Sequence, residues 1–99
     1  MNLMMNEIIN RYMNQILVHS YLYEVCNVSI ISDYEWDLRA KKLVKLIQEH
    51  RDIASKLPYY KQFKDWHGDT ASTFKFDKTI ECRAKLCYFC AKGELLDEH

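Results

Sequence analysis

Glycine and proline are nearly missing from this chain: Gly68, Gly93 and Pro58 are the only three in 99 residues. A β-sandwich needs such residues at its many reversals, so their scarcity points to long helices. No apolar run approaches the roughly twenty residues of a membrane span, so no membrane is expected. Met1 to Arg11 lacks a basic stretch followed by an apolar one, which excludes a secretory leader from the reading. Cys26, Cys82, Cys87 and Cys90 are unevenly spread. Without a leader they read as reduced thiols in a cytosol rather than as a disulfide framework.

What is present fits one domain of residues 1–99 with a modest core, since 48% of the residues are hydrophobic. The formal net charge of zero conceals a segregation. Residues 1–38 set Arg11 against Glu7, Glu24, Asp33, Glu35 and Asp37. Residues 39–64 then carry Arg39, Lys41, Lys42, Lys45, Arg51, Lys56, Lys61 and Lys64 against Glu49 and Asp52, and the remainder is mildly acidic. Such polarity steers a charged partner or marks a solvated helix face.

The spacing predicts a mostly α fold. Ile9, Met13, Ile16, Ser20 and Tyr23 recur at three- and four-residue steps, which predicts a helix over 4–25 ending near Asn27. Ser32 followed by Glu35 forms a capping box, with Asp33 adding negative charge to the first turn. The helix that starts there presents Trp36, Ala40, Leu43, Ile47 and His50 on one face and should run to Lys56, before Pro58. Residues 1–56 thus form an αα-hairpin. Residues 57–76, with Tyr59, Tyr60, Phe63, Trp66, Phe74 and Phe76, are too apolar for a disordered linker and predict an ordered aromatic loop. A third helix, capped by Asp77 and stopped by Gly93, opens the last section, 77–99.

The run His19-Ser-Tyr-Leu-Tyr-Glu24, followed by Ile31-Ser-Asp-Tyr-Glu-Trp-Asp-Leu38, resembles the N-terminal Ia domain of NAD-dependent DNA ligases. Tyr23, Asp33, Trp36 and Asp37 fall into register without a gap over a resemblance covering about residues 12–48. The resemblance implies a helical hairpin that grips the nicotinamide mononucleotide half of NAD. Its site residues would be Tyr23, Glu24, Asp33, Trp36 and Asp37: an aromatic face for the cationic ring, with carboxylates around it. Glu24 stands where that family usually has His, and Trp36 where it has Tyr. The stretch Tyr59-Tyr-Lys-Gln-Phe-Lys-Asp-Trp-His-Gly-Asp-Thr70 is similar to short phage-encoded ligase-related proteins. The alternative for the same residues is structural, with Ser32, Asp33 and Glu35 as caps and Tyr23 and Trp36 as core. No Lys-x-Asp-Gly string is present, so the nucleotidyltransferase lysine of ligase chemistry is missing and no enzyme is expected.

Cys82-x4-Cys87-x2-Cys90, with His67 or His99 as a fourth ligand, is the most metal-like spacing. On one helix, however, Cys82 points about 140° away from Cys87. The cysteines are therefore expected to be small apolar thiols, with no metal and no cofactor. Cys87 and Cys90 lack the preceding strand of a redox pair. Arg39, Lys42, Lys45, Lys61 and Lys64 offer a phosphate-facing surface, and Trp66 a ring for base stacking, without a recognisable nucleic-acid fold.

The missing lysine and the single small domain lead to the expectation of a non-catalytic cytoplasmic binding protein, and the resemblance of residues 59–70 implies a phage or mobile-element character. Its first expected partner is a protein, as for an inhibitor of a host nucleic-acid enzyme such as a defence nuclease. The alternative is a binder of NAD or nicotinamide mononucleotide. Glu24 and the missing adenylation domain lead that alternative to be expected weak, at millimolar ligand or above, about −4 kcal/mol.

Overall fold

The computed structural model describes residues 3–96. Among them the chain forms helices α1 (Leu3–Glu24), α2 (Asp33–Glu49), α3 (Arg51–Ala54), α4 (Tyr60–Phe63) and α5 (Lys78–Lys92), with no strand. No helix is long and apolar enough to cross a membrane.

The long helix α1 is the axis of the fold, packed between α2, α5 and α3. That explains why its apolar surface is wider than the one face legible in the sequence. Ile9, Met13, Ile16 and Ser20 are buried as expected, but so are Leu17, Val18 and Leu22. Three consecutive buried positions at 16–18 need neighbours on more than one side. Tyr23, one step beyond, leaves the core and is 59% exposed.

The N-terminus of α2 forms as its cap residues dictate: Ser32 is extended and its hydroxyl accepts from the Glu35 amide. The Glu35 carboxylate turns toward Arg39, 3.6 Å away. Ala40, Leu43 and Ile47 are buried along the expected stripe. The expectation that α2 reaches Lys56 is corrected. At His50 the backbone leaves helical geometry, with φ −132° and ψ 47°. The chain resumes as the single turn α3, whose Ile53 and Ala54 amides bond back to the His50 carbonyl. The change of direction lets Ala54 bury completely beside α1.

The segment between α3 and α5 is ordered around its rings. Phe63 and Phe74 are buried and lie 5.1 Å apart, with Trp66 5.2 Å from each. Gly68 brings this segment onto α2. Its φ is +82°, and a Cβ there would lie 3.2 Å from Val44 Cγ2 and 3.4 Å from the Ala40 carbonyl oxygen. A left-handed backbone and so close an approach together require glycine. Asp77 then caps α5 through the Ile80 amide, and Gly93 ends it at φ +72°. His99 and the last part of the tail lie outside the described residues.

Candidate functional site

At the tip of the hairpin, α1 closes on itself. The Val25 and Cys26 amides bond to the Tyr21 carbonyl, and Val28 to Leu22. Asn27 takes the left-handed φ of 57° that the turn needs. Residues 28–31 then cross to the Ser32 cap. This short crossing leaves a cavity of about 320 Å³ between the end of α1 and the start of α2.

Tyr23, Glu24, Asp33 and Trp36 all line that cavity. Four of the five tip residues singled out in the sequence are thus brought together. Asp37 is not among the lining residues; its carboxylate lies 2.8 Å from the Lys41 ammonium. The far wall comes from Asp69, Thr70 and Ala71 of the aromatic segment. Trp66 holds that wall in place by donating its indole N–H to the Thr70 carbonyl at 2.7 Å. Trp36 meets Trp66 edge-on, at a centroid distance of 5.9 Å.

The lining also holds two residues that were not among the expected site residues, His19 and Ser20. The Ser20 hydroxyl and His19 Nδ1 are buried and have no hydrogen-bond partner among the described residues. Arg39 donates to His19 Nε2 over a long 3.4 Å, so the neutral ring carries its proton on Nδ1. Burial, and then the Arg39 charge, lower the His19 pKa from 6.5 to about 4. The lining therefore combines three carboxylate residues (Glu24, Asp33 and Asp69), the neutral His19, several hydroxyl-bearing residues and the Trp36 indole. No Lys or Arg lines it. Such a lining suits a flat cationic or polar ring.

The other sequence candidates are dispersed. Lys42, Lys45, Lys61 and Lys64 are exposed on α2 and around α4, while Arg39 is half-buried against α1. Trp66 has its ring engaged by Trp36, Phe63 and Phe74. Cys82 and Cys90 are exposed and Cys87 is half-buried. Burial, followed by the neighbouring Cys90, pushes the Cys87 thiol up, away from the thiolate a nucleophile needs. No cluster of His, Cys, Asp and Glu suited to a metal occurs among the described residues.

Asp69 and Thr70 carried no signal in the sequence, because the Trp36–Trp66 contact and the close approach of Gly68 to α2, both long-range, bring their segment to the tip. His19 carried a signal in retrospect. It sits on the flank of α1, four residues before Tyr23, on the same side of the helix. No protein-family model, curated protein or solved structure matches the chain.

Proposed function

We propose that this chain is a non-catalytic binding protein whose hairpin tip takes the nicotinamide end of a nicotinamide nucleotide, as the resemblance to the ligase Ia domain implies. The observation that supports this most is the convergence of Tyr23, Glu24, Asp33 and Trp36 on one cavity. A cationic ring gains there from three carboxylates and an aromatic wall. Two features that the sequence did not reveal favour tighter binding than residues 12–48 alone suggest. His19 adds a neutral imidazole to the lining, and Asp69 to Ala71 give the cavity a wall that residues 12–48 lack.

Calorimetric titration with nicotinamide mononucleotide should give a saturable signal with Kd on the order of 100 μM, about −5.5 kcal/mol. Trp36→Ala and Asp33→Asn should each abolish it, and Asp37→Ala should leave it unchanged because Asp37 faces Lys41 instead. Absence of saturation by about 1 mM ligand would overturn the proposal.

A second reading rests on the exposed Tyr23, Val25, Tyr34 and Leu38, which flank the tip in sequence. These apolar groups suit a protein partner, as for a phage inhibitor of a host nuclease. It is favoured if nucleotide binding fails and a nuclease captured by the protein is lost on Tyr34→Ala and Leu38→Ala.

A further inference from the structure

On the other side of the link at residues 28–31 lies a groove of opposite character. Arg11, Arg39 and Arg83 line it together with Asn14, Gln15, Val18, His19, Ile30, Ile31 and Cys87, over a volume of about 480 Å³. A second depression of about 390 Å³ shares Arg11, Gln15 and Arg39 with it and adds Ile8 and Tyr12. The two follow α1 from Ile8 to Val18, roughly 15 Å at a rise of about 1.5 Å per residue. Among the described residues, no carboxylate residue lines either. The three arginines come from α1, α2 and α5, so only the packing of these helices brings them together.

We propose that this groove is an anion site for a small phosphomonoester carried on an apolar or aromatic group. Guanidinium groups present planar forks of donors that match phosphate oxygens, and they hold their charge at every relevant pH. The floor of Val18, Ile30 and Ile31 gives the body of the ligand somewhere to lie. A bare inorganic anion would not use that floor, and a cationic ligand would meet three like charges.

The cations differ in how far they are already engaged. Arg39 lies between Glu35 and His19. Arg83 donates to the Asn14 side-chain oxygen, a neutral partner that orients the guanidinium, and is also within electrostatic reach of the Asp77 carboxylate. Arg11 is exposed. The depressed His19 pKa is consistent with the positive field, since Arg39 contributes to it after burial. The hairpin-tip cavity shares His19, Ile30 and Ile31 with the groove. One short link therefore separates an acidic recess from a basic one.

The test is a titration of the intact protein with phenyl phosphate, inorganic phosphate and phenol, read by NMR at the arginine side-chain N–H groups. Phenyl phosphate should bind saturably and about tenfold more tightly than inorganic phosphate, because only the ester uses the apolar floor. Phenol should bind more weakly than the ester. Arg11→Gln and Arg83→Gln should each raise the Kd by about fivefold or more, while Lys45→Gln leaves it unchanged. Arg83→Gln also releases Asn14, so Arg11→Gln and matching melting curves guard against a folding defect. The proposal is overturned by non-saturating shifts, equal affinity for phosphate and its phenyl ester, equal affinity for phenol, or a Kd indifferent to both arginine variants.

Discussion

Arg39 reaches from α2 to His19 of α1 and donates to its Nε2, across 20 positions of sequence. The contact stands where the carboxylate-lined cavity and the arginine-lined groove share a wall, since His19 borders both. It also adds to burial in keeping the ring neutral, because a protonated imidazole has no lone pair to accept from a guanidinium.

The first prediction concerns that proton. His19 titrates at about 4 in the folded protein against an ordinary 6.5, because of burial first and Arg39 second. Between those values the unfolded chain binds a proton that the native protein does not. Stability contributed by neutral His19 is therefore complete above pH 6.5 and falls as pH drops toward about 4, levelling below it. An NMR titration of the His19 ring should show its inflection near the lower value. His19→Gln should flatten the dependence of melting temperature on pH across the window. An inflection near the ordinary value would contradict the burial of the ring and, with it, the Arg39 contact.

Helix caps give the second prediction. Ser32→Ala should cost about 1 kcal/mol and lower the melting temperature by roughly 4–8 °C in a domain of this size. Asp77→Ala should cost more. Asp77 accepts from the Ile80 amide and also from the Tyr59 hydroxyl, at 2.9 and 3.2 Å to its two oxygens. The Ile80 amide leads the interactions that hold this carboxyl below its ordinary range. Tyr59→Phe combined with Asp77→Ala should destabilise by less than the sum of the single changes, since both remove one shared bond. Strict additivity in denaturant melts would argue against that link.

These caps were legible because Ser32 and Asp77 act on amides three residues ahead, within reach of local sequence. The stripe of α2 was legible for the same reason, its period being fixed by the helix itself. The tip residues Tyr23, Glu24, Asp33 and Trp36 were named together because the resemblance to the ligase Ia domain implies it, and the short link between α1 and α2 is what puts them on one cavity. What lay beyond local reach was missed. The break at His50 depends on where Ala54 finds space against α1. The burial of Leu17, Val18 and Leu22 depends on α1 being covered from several sides. The arginine groove was hidden by the charge pattern itself: Arg11 and Arg83 lie in the two acidic thirds of the chain, and no linear average joins them to Arg39.

Gly68 supplies the third prediction, and Gly93 its control. Both have positive φ, but a Cβ at Gly93 meets nothing within 4 Å, whereas at Gly68 it meets Val44 at 3.2 Å. Gly93→Ala should cost about 1 kcal/mol from backbone strain alone. Gly68→Ala should cost more, because Val44 or the backbone must also shift. Denaturant unfolding of the two variants measures the difference. Equal losses would mean that the aromatic segment does not lie against α2 as described.

The last prediction separates what Trp66 does for stability from what it does for the tip. Its ring packs against Phe63, Phe74 and Trp36, while its N–H holds the Thr70 carbonyl and with it the wall formed by Asp69, Thr70 and Ala71. Trp66→Phe keeps most of the apolar contact and removes only the donor. Its stability cost should be modest, about 1 kcal/mol for the hydrogen bond plus a small packing defect. Its effect on the cavity should be larger, because the wall loses the hydrogen bond that ties Thr70 to the aromatic cluster. Amide hydrogen exchange at residues 69–71 should therefore rise while exchange in α1 and α2 stays close to that of the parent protein. Nicotinamide mononucleotide, if it occupies the tip, should bind several-fold more weakly to Trp66→Phe despite a nearly unchanged melting curve. Should exchange rise uniformly through the chain instead, Trp66 serves the core alone and the cavity wall does not depend on its N–H.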